Sequence, residues 1–313
     1  MSLLENEINE QKNTLFNTIK NIKNKINQAC ELISSKNPIF IIGSGTSYHS
    51  ALFLTAMLDT LSINSRPVQS SQLKYIINNS NYNGGVVIAF SQSGESIDLI
   101  NALKSLNGRN FSVIGITNSE KSKLAELSEI SLFLNTGEEK AVTATKSFTA
   151  SLVASIAIRD TIKKTEININ GIENTINIVL NNPEIEDISK RISDNTIVFG
   201  DNNNYAIALE GALKLRETAN INGEGFPFRE YLHGYMETLN ENTTVICIGG
   251  SPDRQIIEYT KNIILLDNYM PSDINPELSP VLYTIILQLL AMYSALNRKL
   301  DPDKPAKLHK VVK

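Results

Sequence analysis

The sequence predicts an α/β protein with mostly parallel sheets flanked by helices. Three observations lead there. Short apolar runs of strand length alternate with segments of helical periodicity. Two of the runs end in Ser/Gly-rich turns that open a helix. The order strand, helix, strand then starts again in the second half of the 313 residues. A chain of this length is enough for two ordinary domains, each with its own core.

The elements follow in order. Leu15, Ile19, Ile22, Ile26 and Ile33 recur at helical steps among Asn, Lys and Glu, which places them on one face of a helix that Pro38 ends. Ile39 to Ile42 is a short buried strand, Gly43-Ser44-Gly45-Thr46-Ser47 a turn, and Tyr48 to Thr60 a helix. The pattern repeats with the strand Val86 to Phe90, the turn Ser91-Gln92-Ser93-Gly94-Glu95 and the helix Ile97 to Leu106. Strands at Ser112 to Ile116 and Ile130 to Leu134 enclose a short helix from Ser122 to Leu127, and a long helix runs from Thr145 to Lys163. Thr165 to Pro183 is rich in Asn and Ile with weak patterning, which places the domain junction there. Thr196 to Gly200 then reads as the first strand again, and aligning Gly43 with Gly200 brings Tyr48 onto Tyr205. A helix from Tyr205 to Thr218, the strand Val245 to Ile248, the helix Asp253 to Tyr259 and the strand Ile263 to Leu266 complete the repeat. This copy has no counterpart of Ser91-Gln92-Ser93-Gly94.

Composition narrows the function. A formal net charge of -4 gives no general attraction to nucleic acid or to an anionic membrane surface, so a bound anion must be held by local geometry. Cys30 and Cys247 have no Cys or His at metal-ligand spacing and read as thiols of a reducing compartment. Met1 to Glu5 lacks the pattern of a signal peptide. The run Leu282 to Leu296, broken by Thr284, Gln288, Tyr293 and Ser294, reads as a buried helix too short and too polar to span a bilayer. The expectation is a cytoplasmic protein that needs no metal or other cofactor and binds no nucleic acid.

Three features carry chemistry. Ligands of open parallel sheets bind beyond the carboxyl ends of the strands. The two Ser/Gly-rich turns sit there, and each offers backbone N–H groups, hydroxyls and a helix N-terminus to an anion. Neither turn fits a nucleotide-binding motif. Glu210, Lys214 and Glu217 form one narrow polar stripe on an otherwise apolar helix. His233, in Glu230-Tyr231-Leu232-His233-Gly234, is one of three histidines and would complete an acid–base set with a carboxylate and a lysine.

Together Gly45-Thr46-Ser47, Ser91 to Glu95, Ala144-Thr145-Lys146-Ser147-Phe148, Ala208 to Leu215 with Glu217, Glu230-x-x-His233-Gly234 and the tail Asp303 to Val312 resemble the sugar isomerase (SIS) family, in particular the isomerase portion of amidotransferases that make glucosamine 6-phosphate. The resemblance implies two tandem SIS-type domains of flavodoxin-like, three-layer form. They would lie at 38–175 and 176–300, after a helical segment 1–37 and before a tail 301–313 that covers the active site. It implies that Gly45, Thr46, Ser47, Ser91, Gln92, Ser93, Ser96, Val142 and Thr143 bind a sugar phosphate. Glu217 would move a proton between C1 and C2, with Lys214 beside it. His233 would open the sugar ring, reaching across a homodimer, and Lys310 would engage the ketose carbonyl. The activity implied is conversion of glucosamine 6-phosphate to fructose 6-phosphate and ammonia. A fructosamine-6-phosphate deglycase and a non-catalytic sugar-phosphate sensor are the alternatives. Three departures stand out. Ser96 replaces the usual Thr, Tyr235 follows Gly234 where Pro is usual, and Gln72 stands where Glu is usual. There is no glutaminase portion with its N-terminal Cys in this sequence, so glutamine is not expected to supply ammonia within it.

Overall fold

The structure is a computed structural model that describes residues 2–166, 168–308 and 310. It divides into two units. One holds residues 13–139 and 146–169 together with Lys310. The other holds the start of the chain to Lys12, residues 140–145 and residues 170–308.

The first unit contains α1 (Leu3–Ser35, from Asn13 onward), α2 (Thr46–Asp59), α3 (Ser70–Asn78), α4 (Ile97–Lys104), α5 (Lys123–Leu127) and α6 (Lys146–Lys163). Its strands are β1 (Ile39–Gly43), β2 (Arg66–Gln69), β3 (Gly84–Ser91), β4 (Asn110–Thr117) and β5 (Ile130–Phe133). They pair in the order β2-β1-β3-β4-β5, every pair parallel, which is the doubly wound order of flavodoxin-type sheets. Alternation assigns the faces. Phe40, Ile42, Val87, Ala89 and Val113 bury against Leu73 and Ile77 of α3, Leu99 and Leu103 of α4 and Leu124 of α5. Their neighbours Ile39, Ile41, Val86 and Ile88 are equally buried, and α2 packs on α6, β1 and β3. Burial on both faces is why these strands read as continuous apolar runs rather than alternating ones.

In the second unit β6 (Asn195–Gly200), β7 (Asn222–Phe226), β8 (Thr244–Ile248) and β9 (Ile263–Leu265) pair in the order β7-β6-β8-β9, again all parallel. Its helices are α7 (Ile172–Leu180), α8 (Pro183–Ser189), α9 (Asn203–Ala219), α10 (Arg254–Tyr259) and α11 (Ser279–Asn297). Ile197, Phe199, Val245 and Cys247 meet Phe228, Tyr231, Leu239 and Ile256 on one side of the sheet. Helix α9 packs on β6, β7 and α11.

Most expected elements are present with ends shifted by a few residues. Helix α7 lies inside the stretch read as weakly patterned, because Ile172, Ile176 and Val179 suffice to bury one face of a short helix. Strands β2 and β7 and helix α3 have no counterpart among the elements read from periodicity. The run expected to be too short and too polar for a membrane belongs to a longer helix. The stretch Pro276–Asn297 is long and apolar enough to cross one by length and composition, with an 18-residue window of mean hydropathy 1.5, yet 89% of that window is buried inside the fold. Its Gln288 is satisfied by Gln11 Nε2 at 2.8 Å. Burial also pushes both thiols up, to about 12 for Cys30 and for Cys247, which keeps them protonated and unreactive at neutral pH.

Candidate active site

Parallel pairing brings the carboxyl ends of β1, β2 and β3 to one edge of the first sheet, with Gly43 opposite Gln69. A cavity of about 190 Å³ opens there. Ser44, Ser47, Ser91, Gln92, Ser93 and Ser96 line it, joined by Ser70, Asp98 and Lys310. The turn after β1 needs glycine twice. A Cβ on Gly43 would stand 2.2 Å from the carbonyl oxygen of Ser47, and Gly45 has φ of 54°. Gly45 and Thr46 therefore shape the turn that carries Ser47, whose N–H bonds Ser44 O at 3.1 Å. In the second turn Ser91 Oγ accepts from Gly94 N at 3.0 Å and Ser93 Oγ from Glu95 N at 3.2 Å. Both hydroxyl protons remain free to donate, which is what an anion requires.

The matching edge of the second sheet repeats this backbone but carries carboxylates of its own. Gly200 stands in for Gly43, since its Cβ would lie 2.4 Å from Asn204 O, and Asn202 takes φ 54° and ψ -125° where Gly45 has φ 54° and ψ -128°. Here the chain's own carboxylates take the donors. Asp201 accepts from Phe228 N at 3.0 Å, and Asp267 accepts from Gly249 N at 3.1 Å and from Tyr283 OH at 2.6 Å. The second edge is thus filled by carboxylates of the protein, and the first is left open to a ligand.

Helix α9 turns the polar stripe into a buried ion cluster. Lys214 Nζ lies 3.1 Å from Glu210 Oε1 and 2.6 Å from Glu217 Oε2. The side chains of Glu210 and Lys214 are each 1% exposed and that of Glu217 is 22% exposed. Burial opposes the charge on Lys214, but Glu210 and Glu217 outweigh it and raise the ammonium above the ordinary lysine range. Glu217 is therefore held by a buried lysine ammonium while 22% of its side chain stays exposed. Beside it, a cavity of about 400 Å³ is lined by Leu213, Leu300, Pro305 and Leu308. Thr143 belongs to the same unit, 1% exposed, with its Oγ1 3.3 Å from Thr218 Oγ1. It and the half-buried Val142 sit on a loop pinned by Glu7, which accepts from the backbone N–H groups of Lys140 and Ala141.

His233 follows a short 3₁₀ turn, Glu230–Leu232. It lines a different cavity, of about 640 Å³, with Glu224, Tyr231, Tyr235 and Asn222. Within one chain, then, His233 and Glu217 stand on separate cavities. Tyr235 packs on Phe226 with ring centroids 4.6 Å apart. Gln72 is exposed and reaches Ser71 at 3.3 Å.

Lys310 sits at the wall of the first cavity, its Nζ 3.5 Å from Glu139 Oε2. Glu139 is fully buried on the side-chain level and also accepts from Ser147 Oγ at 2.8 Å and Ser147 N at 3.3 Å, at the start of α6. Of the expected tail 301–313, His309 and residues 311–313 lie outside the described residues. The sequence reading did not assign Ser44, Ser70, Asp98 or Glu139 to the site. Ser44 stood inside a recognised turn. Glu139 carries no local signal, because its partner lies 171 residues away. Among the described residues no three His, Cys, Asp or Glu side chains gather to hold a metal ion.

Comparison with known proteins agrees with this geometry. Residues 31–158 match the SIS domain family. Over 98% of its length the chain is 30% identical to glutamine–fructose-6-phosphate aminotransferase (isomerizing) of Sulfurisphaera tokodaii and covers 55% of that protein. It spans about half the length of the curated relatives it matches. Among solved structures it resembles glucosamine-6-phosphate deaminase from Thermotoga maritima, with a TM-score of 0.81, 25% identity and 99% of both chains covered. It also resembles the C-terminal domain of glucosamine-fructose-6-phosphate aminotransferase from Francisella tularensis, with a TM-score of 0.82, 25% identity, and 97% and 98% of the two chains covered. Sequence motifs, sheet topology and similarity over the whole chain meet in one conclusion: residues 31–158 carry an SIS domain.

Proposed function

We propose that this protein is an amino-sugar-phosphate deaminase/isomerase that converts glucosamine 6-phosphate and water to fructose 6-phosphate and ammonia. The observation that carries the reading is Glu217, 2.6 Å from the buried Lys214 and itself only 22% exposed. Glu217 takes the proton from C2 of the open-chain amino aldehyde and returns it to C1. The resulting C2 imine adds water and releases ammonia. A carboxylate shielded from bulk water suits this transfer. The 190 Å³ cavity holds the phosphate through Ser47, Ser91, Gln92, Ser93 and Ser96, with Gly45 and Thr46 shaping its wall, and Val142 and Thr143 line the sugar. Lys310 engages the ketose carbonyl, with Glu139 as its counter-ion.

The two sheets are two tandem SIS-type domains, 38–175 and 176–300, between the helical segment 1–37 and a tail that covers the site. The shared strand order and the repeated Gly43 and Gly200 geometry support this. The working form is a cytoplasmic homodimer in which His233 serves the partner's site. Its place on a cavity apart from Glu217 supports that role. Mixing Glu217→Gln with His233→Ala protomers should restore part of the activity, because some mixed dimers regain one intact site. No recovery despite proven subunit exchange contradicts the shared site.

One observation favours a second reading. The cavity of about 400 Å³ beside Glu217 has room for an amino-acid substituent, as a fructosamine-6-phosphate deglycase requires. Release of ammonia or of a free amine, measured over a panel of amino-sugar and fructosamine 6-phosphates, separates the two. Ammonia from glucosamine 6-phosphate is the expected result. Turnover of none of them overturns both and leaves a sugar-phosphate sensor.

A further inference from the structure

We propose that Ser70 and the N-terminus of α3 form a third wall of the anion site, with the Ser70 hydroxyl donating to a phosphate oxygen; this rests on the reading of the 190 Å³ cavity as a sugar-phosphate site. Ser70 lines that cavity, is 1% exposed, and its Oγ has no hydrogen-bond partner in the protein. A buried hydroxyl left unpaired destabilises the free protein and calls for a partner supplied from outside. The hydroxyls of the turn after β3 differ, since Ser91 and Ser93 already accept backbone N–H groups.

The surrounding backbone points to an anion. Ser70 opens α3, and Gln69 at its N-cap makes no side-chain bond. The two other helices that start at the cavity are uncapped in the same way, α2 at Gly45 and α4 at Ser96. The same unit caps its helices elsewhere. Ser122 accepts from Ala125 N at α5, and Glu139 accepts from Ser147 N at α6. Side-chain caps are thus omitted where three helix N-termini meet one cavity; at α2 the N–H groups of Ser47 and Tyr48 are taken by Ser44 O and Gly45 O, and the positive helix ends favour a dianion there. Register supports the placement, because Gln69 is opposite Gly43, which puts Ser70 level with Ser44. Lys310, paired with Glu139, also lines the wall, and Asp98 is the one carboxylate on it among the described residues. A phosphate monoester has three terminal oxygens that each accept more than one bond, so a further donor has a place to bind.

The test compares wild type and Ser70→Ala by calorimetric titration of the full chain with inorganic phosphate and with fructose 6-phosphate. The free variant should melt at the wild-type temperature or above it, because an unpaired buried hydroxyl has been removed. Affinity for both probes should fall about tenfold, as expected for loss of one bond to a charged group, with KM raised and kcat retained. Equal affinities for the two proteins overturn the proposal. A lower melting temperature with unchanged affinity also overturns it, by making Ser70 structural. A loss confined to fructose 6-phosphate moves the hydroxyl to the sugar and refutes the phosphate contact. If wild type binds neither probe, the reading of the cavity fails and the role of Ser70 falls with it.

Discussion

Replacing Lys214 with methionine is expected to lower the unfolding free energy by about 3–5 kcal/mol, because it leaves a buried carboxylate without its partner. Glu210 is the reason. Its side chain is 1% exposed and faces Lys214 Nζ at 3.1 Å. Glu217, at 22% exposed, can turn to solvent and suffers less. The double variant Glu210→Gln with Lys214→Met should recover much of the loss, since the uncompensated charge is removed as well. The pH dependence follows from the raised pKa of Lys214. A group raised above its unfolded value of about 10.4 contributes fully below that pH and loses its contribution only as pH climbs through the folded value. The contribution of the Lys214 charge itself should therefore persist across neutral and mildly alkaline pH and fade only at higher pH. Urea unfolding at several pH values checks the size of the gap and the range over which it persists. A gap under about 1 kcal/mol would mark the cluster as solvated.

The second large effect falls on turnover. Glu217→Gln should reduce kcat by about 10²- to 10⁴-fold, the usual contribution of a positioned general base. KM should change little, because the serine turns proposed to hold the phosphate are not altered by the substitution. The fold should persist, since Lys214 keeps Glu210 as its partner. Steady-state kinetics on the purified variant, with its melting temperature as control, separates the two contributions. A fall in KM and kcat together would point instead to relief of ground-state strain.

Much of the candidate site was legible because its residue patterns are local. The turns after β1 and β3 hold Ser47, Ser91, Gln92, Ser93 and Ser96 within a few residues of an apolar strand. The stripe of Glu210, Lys214 and Glu217 follows from helical spacing alone. The elements missed are those with weak apolar signals. Strand β2 has only Val68 buried and carries Pro67 at the sheet edge. Strand β7 contains Gly223 and Gly225 because α9 crosses too closely for side chains. A Cβ on either would stand 2.7 Å from the α9 backbone. Losing β2 also hid α3, and with it Ser70. The pairing of Glu139 with Lys310 joins two distant parts of the chain, which spacing cannot reveal.

In the proposed reaction Glu217 moves a proton between C1 and C2 of a phosphosugar held by the serine turns. Proton nuclear magnetic resonance of fructose 6-phosphate incubated with the enzyme in D₂O tests it without reference to any leaving group. The expected result is deuterium entering at C1 with the wild-type protein and none with Glu217→Gln. Retention of both C1 protons by the wild type, or equal exchange by the variant, would contradict the assignment.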